Sequence, residues 1–72
     1  MKNEINIIRN KLYEEYKVLW IEKYYNLNYD SFDTWLTNYY ANEDCLRRLT
    51  NYNTLEYIKQ NDPLYNKNIF KT

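Results

Sequence analysis

The chain has 72 residues, with ten basic and ten acidic side chains and a formal net charge of zero. This length leaves room for one domain with a small core. The sequence contains one cysteine, no histidine and no glycine. These counts exclude an internal disulfide and a structural zinc site of the usual Cys and His type. We therefore expect neither a cofactor nor a metal.

Aromatic side chains make up 19% of the sequence, and ten of them are tyrosines. A tyrosine ring packs in a core while its hydroxyl group reaches water or a hydrogen-bond partner. The low mean hydropathy of −0.95 therefore understates how much of the chain can be buried. The composition indicates a folded protein rather than a disordered chain.

Residues 4–25 are predicted to form one long helix. Apolar side chains recur there at spacings of three and four residues, as on the buried face of an amphipathic helix. They are Ile5, Ile8, Leu12, Tyr16, Leu19 and Trp20. Asn26 and Asn28 are expected to end the helix, at the position where glycine commonly stands.

A second apolar stripe lies on the opposite side of this helix. Its members are Ile7, Val18, Ile21 and Tyr25. Lys11 and Glu14 interrupt the stripe and are spaced to pair with each other. Either the short helices and the tail cover this stripe, or it is exposed and binds a partner or a second copy. An exposed apolar stripe of this length is unusual on a monomer.

A second helix is predicted over residues 31–41, with Asp30 or Ser31 as its N-cap. Apolar side chains then recur at the spacing of a buried helical face. They are Phe32, Trp35, Leu36, Tyr39 and Tyr40. In each of the tyrosine pairs 24–25 and 39–40 we expect one buried ring and one ring at the rim. Trp20, Trp35, Leu36 and Tyr39 are expected inside.

Two more helices are predicted over residues 43–50 and 54–61. Asn42 can cap the first of them, and two carboxylates in its first turn favour the helix dipole. Cys45 is interpreted as a core residue because it shares a helical face with Leu49. Asn53 and Glu56 have the spacing of a capping box at the start of the last helix.

The last helix is expected to end at Asp62, because a residue before proline is disfavoured in a helix. The tail, residues 62–72, is expected to be ordered and docked because it keeps four apolar side chains. These are Leu64, Tyr65, Ile69 and Phe70. The predicted fold is therefore a single all-α domain over residues 1–72. Its long N-terminal helix packs against two or three short helices in a small bundle.

No feature of the sequence favours catalysis. Without histidine there is no ordinary general base at neutral pH, and without glycine there is no phosphate-binding loop. The one serine, Ser31, is explained as a helix cap. We therefore predict that the protein is not an enzyme.

Binding to another protein is the function that the sequence favours. Tyrosine and tryptophan dominate binding hot spots, and an exposed stripe would supply a surface. The predicted partner-binding residues are Ile7, Val18, Ile21, Tyr25 and Tyr40. A structural homo-oligomer that uses the same stripe is an alternative.

A second alternative is a nucleic-acid-binding accessory protein. Five basic residues interleave with tyrosines after residue 45, as suits single-stranded nucleic acid. They are Arg47, Arg48, Lys59, Lys67 and Lys71. A helix-turn-helix is disfavoured because Glu43 and Asp44 would meet the DNA phosphates. The neutral net charge also weakens this alternative.

The biological origin and location of the protein are predicted from its composition. Residues with AT-rich codons abound, and short glycine-free chains rich in tyrosine and asparagine resemble many small phage gene products in composition. The expected role is a phage or mobile-element accessory protein that inhibits or adapts a host protein, such as a defence factor. No segment matches a membrane span or a signal peptide, so we expect no membrane partner and a cytoplasmic location in a bacterial or phage-infected cell.

Overall fold

The computed structural model describes residues 2–40 and 42–65. These residues contain four helices and no strand. The helices are α1 (Lys2–Tyr24), α2 (Phe32–Asn38), α3 (Glu43–Arg47) and α4 (Tyr52–Asn61). The predicted all-α class, with one long N-terminal helix and several short ones, is confirmed.

Helix α1 is about 34 Å long, at about 1.5 Å per residue, and only part of it packs against the other helices. Ile5 and Leu12 are buried on the predicted core face. Leu19, which the same spacing placed in the core, is exposed, and Trp20 is half-buried. The core-face prediction is therefore wrong for Leu19, because the last turns of α1 lie at the margin of the bundle.

Side-chain caps begin the three short helices. Ser31 Oγ accepts a hydrogen bond from the Thr34 N–H (3.3 Å), and Asn42 Oδ1 accepts one from the Asp44 N–H (2.9 Å). Both residues were predicted as caps.

Helix α4 begins two residues earlier than predicted. Asn51 is its cap and accepts a hydrogen bond from the Thr54 N–H at 2.8 Å. The capping box predicted at Asn53 and Glu56 is therefore wrong. The sequence spacing could not separate two asparagines that are both good caps.

The core is built around Trp35. The indole ring has no exposed surface and contacts the rings of Tyr13, Tyr16, Phe32 and Tyr40 at centroid distances of 5.6–6.1 Å. These contacts join α1 to α2. Leu46, Leu55, Ile58 and Tyr65 complete the buried cluster from the C-terminal side.

The first part of the predicted tail packs on this core. Tyr65 is buried and Leu64 is half-buried. Ile69 and Phe70, the other two apolar residues of the tail, lie outside the described residues.

A buried ion pair ties α1 to the segment that follows α4. Arg9 donates to the fully buried carboxylate of Asp62 from Nε (3.0 Å) and from Nη2 (2.5 Å). Tyr40 Oη donates to the same carboxylate, and the Leu64 N–H donates to it at 3.0 Å. Burial by itself raises the pKa of Asp62, but the hydrogen bonds from Arg9 and Tyr40 outweigh it and leave the pKa below its usual value.

Candidate functional site

The outer face of α1 carries apolar side chains that the described helices do not cover. Ile7 is 58% exposed and Val18 is 49% exposed, while Ile21 is half-buried. Lys11 and Glu14 lie exposed between them. We call Ile7, Lys11, Glu14 and Val18 the outer stripe.

Tyr25 is not part of the helical stripe. It follows the last residue of α1 and has a positive φ of 56°, in the left-handed region. Helical spacing therefore no longer sets the direction of its side chain, and the predicted alignment with Ile21 is wrong. The ring is 89% exposed, the largest value among the exposed apolar and aromatic side chains of the described residues.

Tyr40 is not a surface residue, so its assignment to partner binding is wrong. Its side chain is fully buried and its hydroxyl group donates to Asp62. Helix α2 ends at Asn38, and the Tyr40 N–H then bonds to the Trp35 carbonyl, five residues back. This wider turn directs Tyr40 into the core and leaves Tyr39, which we expected inside, half-buried at the rim.

Exposed apolar surface is concentrated where α1 ends. Among the described residues, seven large apolar or aromatic side chains are exposed, and five of them lie between Val18 and Leu27. The other two, Ile7 and Tyr52, lie elsewhere. Single exposed apolar residues are common, whereas a cluster of this kind is unusual on a monomer. We call Leu19, Trp20, Tyr24, Tyr25 and Leu27 the aromatic end.

Asn26 fixes the geometry of the aromatic end. Its Oδ1 accepts hydrogen bonds from Trp20 Nε1 (3.0 Å) and from the Asn28 N–H (2.9 Å), and its Nδ2 donates to the Tyr24 carbonyl (3.3 Å). Trp20 and Tyr24 are in contact, with ring centroids 4.3 Å apart. Asn26 was predicted to end the helix in place of glycine, but Tyr25 takes the left-handed position and Asn26 closes the helix through its side chain.

A groove of about 220 Å³ adjoins the aromatic end. Its lining comes from α1, α2 and the α3 region and includes Leu19, Trp20, Tyr24, Tyr39 and Cys45. The charged residues that line it are both cations, Lys23 and Arg48. Neither cation forms an ion pair with a described residue, although Lys23 Nζ lies 5.3 Å from the centre of the Tyr24 ring. The groove is therefore apolar with a positive rim.

Carboxylates already hold two of the five bases predicted for nucleic-acid binding. Arg47 pairs with Glu43 (2.5 Å) and Asp44 (3.5 Å), and Lys59 pairs with Glu43 and Glu56 (both 3.3 Å). Arg48 is exposed and belongs to the groove described above. Lys67 and Lys71 lie outside the described residues. The described part of the chain therefore presents no cluster of free bases at these positions.

The described residues offer little for chemistry. They contain no group of three or more side chains that could hold a metal ion. Cys45 is a free, half-buried thiol in the groove. The buried carboxylate of Asp62 is already saturated by Arg9, Tyr40 and a backbone N–H.

The sequence spacing did not predict that Leu19 and Leu27 are exposed or that Lys23 and Arg48 form a positive rim. The expectation of one buried ring in the tyrosine pair 24–25 is wrong, because both rings are exposed. Leu27 carried a signal, because it is a large apolar residue between asparagines that the prediction placed outside any helix. Lys23 and Arg48 carried none, because only the fold brings them to one groove.

A comparison with protein-family models, curated proteins and solved structures gives no match. In the part of the chain that the structure describes, every helix is too short or too polar to cross a membrane.

Proposed function

We propose that the protein is a binding module that recognises another protein through its aromatic end. The clustering of four exposed apolar and aromatic side chains between Leu19 and Leu27 carries this proposal. Aromatic side chains of this kind are the usual anchors of protein interfaces because each buries a large area at a small cost in side-chain entropy.

The groove beside the aromatic end indicates the chemistry of the partner. An apolar side chain of the partner would enter between Leu19, Trp20 and Tyr39. Lys23 and Arg48 at the rim favour a carboxylate next to that anchor, because neither cation has an ion-pair partner among the described residues. The partner segment is therefore apolar and acidic.

The hydrogen bonds of Asn26 hold the aromatic end in place before binding. Trp20 and the turn after α1 are tied to one side chain, so less conformational freedom is lost when a partner docks. This arrangement favours a preformed recognition surface over a turn that orders only in the complex.

A module of this kind needs no catalytic residue, because it acts by occupying a surface of the protein that it binds. We propose on these grounds that it inhibits or adapts its partner. The compositional resemblance to small phage gene products supports a host protein, such as a defence factor, as that partner.

The experiment is affinity capture from the nuclease-treated lysate of a low-GC bacterium, followed by chemical cross-linking through lysines. We expect one protein near stoichiometry, with cross-links at Lys23 rather than at Lys59. Leu27→Asp and Lys23→Glu should each lower its recovery at least about tenfold, since the first places a charge in an apolar contact and the second reverses a charge at the rim.

Tyr52→Asp is the matched control, because Tyr52 is also an exposed aromatic residue but lies at the start of α4. It should capture as much partner as the native chain. Equal recovery by all variants would exclude the aromatic end as the binding surface. Recovery of nucleic acid without nuclease, and of no protein with it, would favour the nucleic-acid alternative instead.

A further inference from the structure

The outer stripe lies along a side of α1 that the described helices leave exposed, and its two charged members also line a cavity beside Thr50 and Thr54. Its four members, Ile7, Lys11, Glu14 and Val18, follow one another at spacings of four, three and four residues and are all exposed. Spacings that alternate between three and four residues are those of a seam along which two helices pack. The stripe is therefore a straight, narrow contact surface about 16 Å long.

We propose that the outer stripe pairs with the same stripe of a second copy, with the two α1 helices antiparallel. The order of the residues along the stripe carries this inference. The residues form two pairs, Ile7 with Val18 and Lys11 with Glu14. Both pairs are centred on the same point of the sequence. When Ile7 of one copy lies against Val18 of the other, Lys11 therefore lies against Glu14. The two-fold symmetry of the pair makes each of these contacts twice.

Charge complementarity selects this register over the parallel one. A parallel pair would place Lys11 against Lys11 and Glu14 against Glu14, and like charges at a helix seam repel. Lys11 forms no ion pair with a described residue, so its charge is available. Glu14 is held by Lys17 at 2.8 Å, and its side chain is still 67% exposed. Its carboxylate can therefore accept a second cation.

The interface that results is small. The next layer would place Ile21 opposite Glu4, which is exposed and lies near Tyr57 Oη (3.4 Å), so the apolar contact ends there. Stable complexes use about 20–30 residues from each partner, and the outer stripe supplies four. The expected association is therefore weak, with a dissociation constant of about 10⁻⁴ M. The groove lies on another side of α1, so the pairing leaves the aromatic end free.

Sedimentation equilibrium at protein concentrations up to about 1 mM tests the pairing. The native chain should dimerise, and Lys11→Glu or Glu14→Lys should weaken the dimer about 10- to 30-fold, because each replaces two attractive contacts with two repulsive ones. The double variant Lys11→Glu/Glu14→Lys should recover most of the native association. Lys23→Glu is the control, because it makes the same charge change outside the stripe, and it should dimerise like the native chain.

Cysteine cross-linking fixes the direction of the helices. In a Cys45→Ser background, oxidation should join Ile7→Cys protein to Val18→Cys protein when the two are mixed. Neither variant should cross-link efficiently to itself. Self-cross-linking of Ile7→Cys would show a parallel pair and overturn the proposal. A native chain that stays monomeric at about 1 mM, or a dimer that the single charge reversals leave unchanged, would overturn it as well. None of these outcomes depends on the partner bound at the aromatic end, so the two proposals fail independently.

Discussion

Arg9 and Asp62 are 53 residues apart in the chain and form an ion pair whose carboxylate has no exposed surface. The guanidinium group donates to both carboxylate oxygens and lies 5.7 Å from the centre of the Tyr40 ring. The contact joins the first third of α1 to the chain after α4. Small domains usually need a disulfide, a metal or unusually good packing, and here a buried polar contact links the two ends of the described chain.

Replacing Arg9 should destabilise the fold strongly. Arg9→Met keeps the length of the side chain but leaves the buried carboxylate of Asp62 without its cation, which costs about 3–5 kcal/mol. Urea unfolding followed by circular dichroism measures the loss. Arg47→Met is the control, because Arg47 is mostly exposed and its ion pairs are worth about 0.5 kcal/mol. Equal losses of stability in the two variants would show that the buried pair of Arg9 and Asp62 contributes no more than an exposed ion pair.

The stability should fall in acid because of Asp62. Its pKa is below the ordinary value in the folded state. A carboxyl group of this kind stabilises the fold above the unfolded-state pKa, about 3.9, and the stabilisation is lost as the pH falls through the lower folded-state pKa. The free energy of unfolding, measured in urea, should therefore drop below about pH 4. Asp62→Asn should be less stable at neutral pH and should show a shallower acid decline. Asp33→Asn is the same change at an exposed position and should cost much less stability at neutral pH.

Ionisation of Tyr40 should account for part of the loss of stability at alkaline pH. Burial raises its pKa most, the hydrogen bond to Asp62 raises it further, and Arg9 opposes both. A raised pKa of a tyrosine stabilises the fold below the unfolded-state value, about 10, and this contribution is lost as the pH rises above it. Tyr40→Phe should therefore show a shallower loss of stability above about pH 10. At neutral pH it should lose about 1–2 kcal/mol, since Asp62 loses a donor. A steep alkaline loss in Tyr40→Phe that equals that of the native chain would exclude this role.

The hydrophobic periodicity predicted the helices because helix formation is read from local spacing. The long apolar face of α1 and the caps at Ser31 and Asn42 are features of this kind. The ion pair between Arg9 and Asp62 could not be predicted in the same way. The presence of Asp62 was already explained locally, because it ends a helix before a proline. Nothing nearby in the sequence pointed to Arg9.

The site depended on where the short helices end, which is set by tertiary packing. Helix α2 was expected to reach residue 41 and ends at Asn38. This earlier end reverses the roles of Tyr39 and Tyr40, and the last turns of α1 remain at the margin of the bundle. The aromatic end is the surface that these shorter helices leave uncovered.

Substituting the two candidate cap residues tests whether α4 begins where the structure places it or where the spacing predicted. Asn51→Ala should cost about 1 kcal/mol, because the Thr54 N–H loses its acceptor. Asn53→Ala should change stability by no more than about 0.5 kcal/mol, or should stabilise slightly, because Asn53 lies inside the helix and alanine has the higher helix propensity. Thermal or urea unfolding of both variants is the measurement. A larger loss in Asn53→Ala would move the start of α4 to residue 54.

Replacing Tyr25 should change stability and partner binding in opposite directions. Its φ of 56° is costly for a residue with a Cβ and is natural for glycine. Tyr25→Gly should therefore raise the free energy of unfolding by about 0.5–1 kcal/mol, the relief of left-handed strain less the entropy that glycine loses on folding. The same change removes the most exposed ring of the aromatic end, so capture of the partner should fall. Tyr24→Gly is the control: it lies in the last turn of α1 and should lower stability as well as capture. If Tyr25→Gly instead destabilised the chain, the ring would be contributing to the fold, and its exposure would no longer point to a partner.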